Sequence, residues 1–198
     1  MSVIAIFSAS FCHGDEIAEK VAQRLGYTCI GSEIVEEASR RFGLPSEKLL
    51  RAMHGATSFL NSVTRERERS VAYLRAALAE HFLQDNLVYH GFAVHLLPKN
   101  IPHVLKVCLV ADRQARIRVA TEAEGLSESK ATTRIEEDDQ QRSRWTQYLF
   151  DLGPWDKRLY DIKIPIHTLS IDEAVTMICD NAKKIDRHTK HQSEQTPD

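Results

Sequence analysis

Several features that mark other protein classes are scarce or missing in this chain of 198 residues. Only four cysteines occur, at positions 12, 29, 108 and 179, and no two of them form a CxxC pair. Neither a zinc ribbon nor a disulfide scaffold is therefore expected. The most continuous apolar run, residues 104–111, is far shorter than the roughly 20 residues that a membrane span needs. We therefore expect no membrane partner.

Neither sign of charge dominates the sequence. The 26 Lys and Arg residues against 28 Asp and Glu residues give a formal net charge of -2. No global basic field exists to recruit nucleic acid or an anionic membrane, so any anion site must be local. The first residues lack a basic region and a small-residue cleavage site and predict a buried strand, not a signal peptide. These features favour a cytoplasmic location.

What the chain does contain is an alternation of strand-like and helix-like segments. The composition, 42% hydrophobic and 27% charged, is typical of a globular domain. The patterns predict strands at residues 3–7, 27–30, 86–90, 104–111 and 161–166, with helices between them, including one long helix over residues 58–82. This order predicts an α/β domain in three layers, with a five-stranded, mostly parallel sheet covered by helices on both faces. Residues 1–185 are expected to form this domain, and residues 186–198 a disordered polar tail.

The loop after the first predicted strand lies where a phosphate-binding loop would lie. Gly14 is present there, but Asp15 and the acid after it occupy the positions of the Walker lysine and hydroxyl. Ser8, Ser10 and His13 can donate hydrogen bonds to an anion at the helix N-terminus. The two acids already satisfy the helix dipole. An anion site and a plain strand-to-helix turn therefore both stay open.

Several short stretches share their order and spacing with one known family. They are Ile4-Ala5-Ile6, Gly14-x-Glu16-Ile17-Ala18-Glu19-Lys20, Leu25-Gly26-Tyr27, Val88-x-x-Gly91, Glu124-Gly125-Leu126-Ser127-Glu128, Asp139-Gln140-Gln141-Arg142 with Trp145, and Trp155-Asp156 with Tyr160-Asp161. Over residues 3–182 the chain thus resembles the cytidylate kinase-like family of nucleoside monophosphate kinases. The resemblance implies a P-loop NTPase-like fold, a helical monophosphate-binding insertion at about residues 44–84, and a lid at about 127–156.

The resemblance also implies an activity. Family members bind ATP with Mg²⁺ and pass its γ-phosphoryl group to a pyrimidine nucleoside monophosphate such as CMP or dCMP. The Gly-Ser-Gly-Gly stretch of the family's phosphate loop is Phe11-Cys12-His13-Gly14 here, so the Walker A loop is degenerate. A strand-end Gly-Arg-Gly of the family is Tyr89-His90-Gly91 here. Phosphoryl transfer depends on positioning and charge neutralisation, so these changes bear on the activity more than on the fold.

Candidate site residues follow from the loop, the strand end and the arginines. Arg65 and Arg69 lie four residues apart and share a helix face, although a solvated charged face is the alternative. Arg142 matches the lid arginine of the family, and Arg144 lies beside it. The candidate nucleotide-binding residues are Ser8, Ser10, Cys12, His13, Gly14, His90, Gly91, Arg65 and Arg69, and the candidate catalytic residues are Arg142 and Arg144.

Other chemistry has little support in the sequence. His13, His90 and His95 lack the spacing of a metal site, so no metal centre of the protein itself is expected. Asp112 follows the most apolar strand and is either a magnesium contact or a helix N-cap, with the cap favoured. No Ser-His-Asp order indicates nucleophilic catalysis.

Two functions remain open. One is a phosphotransferase that uses Mg²⁺ with ATP, with His90 at the acceptor. The other is a catalytically inactive kinase-fold module that senses a nucleotide or another anion. In both cases the expected partner is a small-molecule nucleotide, with no nucleic acid, and the chain is expected to be a monomer or homodimer.

Overall fold

The sheet has five parallel strands in a computed structural model that describes residues 2–55, 65–98 and 101–193, with side chains as far as residue 185. The strands are β1 (Val3–Ser8), β2 (Thr28–Ile30), β3 (Leu87–His90), β4 (Val104–Val110) and β5 (Ile162–Pro165). Their order across the sheet is β2-β3-β1-β4-β5, and every neighbouring pair is parallel. The predicted α/β fold with a parallel sheet is confirmed.

The central strand β1 is buried on both faces. Val3, Ala5 and Phe7 belong to one hydrophobic core, and Ile4 and Ile6 to the other. Successive side chains of a strand point to opposite faces, so a continuous apolar run fits a strand covered by helices on both sides. The apolar start of the sequence is therefore the centre of the domain.

Seven α-helices are present among the described residues. They are α1 (Gly14–Leu25), α2 (Glu33–Phe42), α3 (Ser46–His54), α4 (Glu66–Phe82), α5 (Arg113–Glu124), α6 (Glu128–Phe150) and α7 (Ile171–Ser193). Helices α1 and α7 cover one face of the sheet, and α2, α3, α4 and part of α6 cover the other. A short 3-10 helix, Phe92–Leu96, follows β3. Within the described part of the chain, no helix combines the length and apolar character required to cross a bilayer.

Helix boundaries agree with the capping signals in the sequence. Asp112 Oδ1 accepts a hydrogen bond of 2.7 Å from the Ala115 N–H, so the cap interpretation of Asp112 is confirmed. Ser127 caps α6 in the same way, through the Lys130 N–H. These two caps mark the starts of α5 and α6, the two helices that follow β4.

Two predicted boundaries differ from the structure. Helix α7 continues to Ser193, eight residues into the segment predicted to be a disordered tail, because no Gly or Pro interrupts it there. Residues 194–198 of that tail lie outside the described residues. The long helix predicted from residue 58 is found from Glu66 to Phe82, and its first part, residues 58–64, also lies outside them.

Candidate functional site

A cavity of about 330 Å³ opens at the carboxyl edge of the sheet, between the end of β1 and the start of α1. Parallel strands end at the same edge, so the loop after β1 meets the end of β3 there. We call this space the loop cavity. The lining residues used below are Ser8, Cys12, Gly14, Asp15, His90 and Arg142.

The loop bends sharply before α1 begins. Phe11 and His13 have φ angles of 59° and 51°, in the left-handed region that side-chain-bearing residues rarely occupy. His13 is the N-cap residue, and its side chain forms no capping hydrogen bond. The first N–H groups of α1 are therefore not capped by His13, and they carry the partial positive charge of the helix N-terminus.

Arg142 connects helix α6 to the loop. Its Nε donates to the Ser8 carbonyl at 2.8 Å and its Nη1 to the Asp138 carbonyl at 2.9 Å. No hydrogen bond engages Nη2 within the described residues, and the side chain lines the loop cavity. Burial lowers the pKa of Arg142, an effect that Asp138 and Asp139 oppose. The guanidinium stays charged because an arginine pKa begins far above neutral.

Arg116 is a second buried arginine at the loop, and the sequence analysis did not identify it. It donates to both carboxylate oxygens of Asp139, at 2.7 and 2.8 Å. Its Nε and Nη2 also donate to the carbonyl and hydroxyl of Ser10, at 2.9 and 2.8 Å. Arg116 thereby holds α5, α6 and the loop together. Its position in the first turn of a helix gave no signal of this role.

His90 bridges the loop and the first turn of α1. Its Nε2 lies 2.8 Å from Ser8 Oγ, and its Nδ1 lies 2.7 Å from Asp15 Oδ1. The hydrogen bond with His90 lowers the pKa of Asp15. The resemblance implies a cation at one position of the loop and at one position of the strand end. Here these positions are Asp15 and His90, and their side chains are hydrogen-bonded to each other.

The two glycines at the site allow close packing. A methyl group on Gly14 would lie 2.4 Å from both His90 Nε2 and Ser8 Oγ, so only glycine leaves room for the Ser8 and His90 side chains. Gly91, with a φ of 150°, brings its Cα close to the Tyr89 hydroxyl. Its N–H donates to the Ile6 carbonyl at 3.1 Å, which ties the end of β3 to β1.

Cys12 is enclosed at the base of the loop. Its side chain is 1% exposed, and burial raises the pKa of its thiol to about 11 although Arg116 and Arg142 act in the opposite direction. The thiol is therefore protonated at neutral pH and unreactive.

Three predicted arginines lie away from the loop cavity. Arg65 and Arg69 are exposed at the start of α4, and Arg67 between them is buried. Arg144 is exposed on α6, because it is two residues from the inward-facing Arg142. None of the three lines the loop cavity.

Two of the three candidate histidines, His13 and His90, line the loop cavity, and His95 does not. His13 pairs with Glu16 at 3.4 Å, whereas His95 is buried and forms a 2.9 Å hydrogen bond with the Tyr160 hydroxyl. Across the described ranges, no group of three or more His, Cys, Asp or Glu side chains is arranged to hold a metal.

A second set of polar groups lies between α3, α4 and α6. Arg67 donates from Nε to the Ala52 carbonyl at 2.9 Å, and its guanidinium lies 3.7 Å from the centre of the Tyr148 ring. The rings of His54 and Phe92 have their centres 4.3 Å apart, and the Arg142 guanidinium lies 5.3 Å from that same Phe92 ring. Arg67 Nη2 and His54 Nε2 are buried and have no hydrogen-bond partner among the described residues. Buried polar atoms are normally satisfied, so these two mark a place where a further polar group would be stabilised.

The residues of the loop do not fit the usual binding mode of ATP with Mg²⁺. That mode needs a lysine at the outer phosphates and a hydroxyl at the metal. Asp15 and Glu16 occupy those positions, where carboxylates repel a polyphosphate. Asp15 is bonded to His90, and Glu16 lies 3.1 Å from Lys20.

Comparisons with known proteins agree with the fold. The model of the cytidylate kinase-like family matches residues 3–168. A comparison with curated proteins found no match. An uncharacterized protein from Eubacterium ventriosum ATCC 27560 superimposes with a TM-score of 0.71 at 18% identity, covering 92% of this chain and 99% of its own.

Two kinases of known name also share the fold. A gluconokinase from Sinorhizobium meliloti 1021 gives a TM-score of 0.53 at 12% identity, covering 97% of each chain. A shikimate kinase from Bacteroides thetaiotaomicron gives 0.54 at 14% identity, covering 92% of this chain and 98% of its own.

Proposed function

This chain belongs to the cytidylate kinase-like family. We propose that it binds a nucleoside phosphate in the loop cavity. The observation that carries the proposal is the pairing of two positive features in one space. The first turn of α1 has no side-chain cap, and Arg142 lines the same cavity with Nη2 unengaged. Backbone N–H groups together with an arginine suit a phosphate group.

The proposed ligand is a pyrimidine nucleoside monophosphate such as CMP or dCMP, as in the family. The groups between α3, α4 and α6 support a place for the rest of the nucleotide. His54 and Arg142 both contact Phe92, and within the described part of the chain Arg67 and His54 each have a buried polar atom without a hydrogen-bond partner. A ligand that reaches from the loop cavity towards Phe92 would satisfy them.

The proposed role is that of a binding module and not of an ATP-dependent phosphotransferase. Neither a lysine nor a hydroxyl stands where the outer phosphates and Mg²⁺ of ATP require one. A regulatory protein that senses a cytoplasmic nucleotide, as a monomer or homodimer, fits such a site.

Phosphoryl transfer to a pyrimidine monophosphate is the second candidate. The observation that favours it is that α6 places Arg142 directly on the loop, through the Ser8 carbonyl. Such an arginine would neutralise charge on a transferred group. This candidate requires ATP with Mg²⁺, whose contribution is to neutralise phosphate charge.

Calorimetry on the full chain tests the proposal. CMP, dCMP, UMP, AMP and ATP are titrated with and without Mg²⁺, and binding is compared with thermal unfolding. A ligand at 100 times its Kd stabilises the native state by about 2.7 kcal/mol, so weak sites register. We expect a pyrimidine monophosphate to bind without Mg²⁺, and ATP with Mg²⁺ not to bind.

Two variants on the same helix provide the control. Arg142→Gln removes the cation in the cavity and should weaken monophosphate binding at least tenfold, while the exposed Arg144→Gln should leave it unchanged. Binding of both a monophosphate and ATP with Mg²⁺, followed by turnover, would establish the second candidate instead. Absence of binding by every nucleotide would refute both.

A further inference from the structure

Ser8, His90 and Asp15 form a continuous hydrogen-bonded chain that nucleotide binding does not require. Ser8 Oγ lies 2.8 Å from His90 Nε2, and His90 Nδ1 lies 2.7 Å from Asp15 Oδ1. The three residues come from the end of β1, the end of β3 and the first turn of α1. All three line the loop cavity.

The protons in this chain can be arranged for catalysis. The lowered pKa of Asp15 keeps its carboxylate ionised at neutral pH, and a carboxylate can only accept a hydrogen bond. His90 Nδ1 therefore donates to Asp15. In the neutral tautomer of His90 that carries its proton on Nδ1, the lone pair on Nε2 accepts the Ser8 hydroxyl proton. A serine hydroxyl that donates a hydrogen bond to a histidine, whose ring is held in place by a carboxylate, is an activated nucleophile.

The start of α1 supplies the other element that such chemistry needs. Gly14 lies directly against Ser8 Oγ and His90 Nε2, since a methyl group there would be 2.4 Å from each. Gly14 is also the first residue of α1, whose first turn has no side-chain cap from His13, so the helix begins next to the serine. Backbone N–H groups placed next to a nucleophile can stabilise an oxyanion.

We propose that Ser8, His90 and Asp15 are a nucleophilic triad that hydrolyses small carboxylic esters, an activity distinct from nucleotide binding although both would use the loop cavity. The cavity of about 330 Å³ has room for a small ester. Arg142 in its wall favours an ester that carries an anionic group. Ser8 is the nucleophile, His90 the general base and acid, and Asp15 a positioning residue.

The reaction has two steps, acylation of Ser8 and hydrolysis of the acyl-serine. Ser8 Oγ bonds to the ester carbonyl carbon as its proton moves to His90 Nε2, and the carbonyl electron pair becomes an oxyanion that faces the N–H groups of α1. The intermediate collapses, the bond to the leaving oxygen breaks, and His90 returns the proton to the departing alcohol. Water then attacks the acyl-serine, with His90 again as base, and a carboxylic acid and free Ser8 result.

The test uses a fluorophosphonate probe, which reacts with activated serines, on the purified full chain. Labelling is located by peptide mass spectrometry, and hydrolysis of p-nitrophenyl acetate is followed in parallel. We expect label on Ser8, no label in Ser8→Ala, and at least tenfold slower labelling in His90→Gln. Thermal unfolding of each variant establishes that it is folded.

Asp15 is tested against its neighbour in the same helical turn. Asp15→Asn should slow labelling at least tenfold, and Asp15→Glu should recover part of the rate, whereas Glu16→Gln should not change it. Absence of label on Ser8 in the folded wild-type chain, or equal labelling in Ser8→Ala, would overturn the proposal. Labelling measures the reactivity of Ser8, and calorimetry with CMP measures nucleotide binding. A negative result in one experiment therefore leaves the other proposal to be judged by its own experiment.

Discussion

Arg116 and Asp139 join helices α5 and α6 through two parallel hydrogen bonds, 2.7 and 2.8 Å long. Arg116 is 5% exposed and also holds Ser10, so the contact fixes α6 relative to the loop. Asp139 is three residues before Arg142 on α6. The position of Arg142 in the loop cavity therefore depends on Arg116, a residue of the preceding helix.

Loss of this pair should destabilise the domain. Asp139→Asn leaves the buried guanidinium without its carboxylate, and we expect a loss of about 2 kcal/mol in the free energy of unfolding. Chemical denaturation measures it. The exposed pair Arg113 and Glu136 joins the same two helices, so Glu136→Gln is the matched control and should cost less than about 0.5 kcal/mol. Equal effects of the two substitutions would contradict a special role for Arg116.

The close approach at Gly14 predicts a steric penalty. Gly14→Ala places a methyl group 2.4 Å from Ser8 Oγ and His90 Nε2 and should cost about 1 to 3 kcal/mol of stability. In a His90→Ala background the penalty should shrink, because one of the two obstructing side chains is gone. Gly153→Ala, with no atom within 4 Å, is the control and should change stability by less than about 0.5 kcal/mol. An additive double mutant would argue against the contact.

His95 predicts a loss of stability in acid. Burial and the nearby Lys106 lower the pKa of His95 to about 3 from its ordinary value of 6.5. Between pH 6.5 and about 3 the unfolded chain binds a proton that the folded chain does not bind, so stability falls as the pH falls through this window. His95→Phe should flatten that part of the curve of unfolding free energy against pH. An unchanged slope would show that His95 does not contribute.

The cysteines predict a selective alkylation pattern. Cys12 is 1% exposed with a pKa raised to about 11, whereas Cys29 is only partly buried. Iodoacetamide at neutral pH should modify Cys29 well before Cys12, as measured by intact mass and peptide mapping. Modification of Cys12 at the rate of Cys29 would indicate that the loop opens readily in solution.

Local sequence patterns were sufficient for most of the fold. The apolar run of β4, the cap at Asp112 and the cap at Ser127 each depend on residues a few positions apart. The same reasoning placed the loop and His90 at one edge of the sheet. Arg65 and Arg69 were predicted as site residues, but Arg67 is the arginine of this segment that is buried. Arginines and acids alternate there, so the local pattern did not distinguish Arg67 from its neighbours.

The site depends on contacts that no local pattern contains. Ser8 and His90 are 82 residues apart, His90 and Asp15 are 75 apart, and Ser10 and Arg116 are 106 apart. No Ser-His-Asp order in the sequence indicates nucleophilic catalysis. The parallel pairing of β1 with β3 brings Ser8 near His90, and the start of α1 adds Asp15 to the same hydrogen-bonded chain.

By itself the sequence determined the class of fold. The spacing of apolar residues over short segments predicts each strand and helix, and the alternation of the two predicts an α/β domain. It also determined that the phosphate loop has lost its lysine and most of its glycines. Only the tertiary structure decided what replaced them. Strand order sets which loops share the carboxyl edge of the sheet, and packing against α1 and α6 then selects Asp15, His90, Arg116 and Arg142 as the groups that meet there.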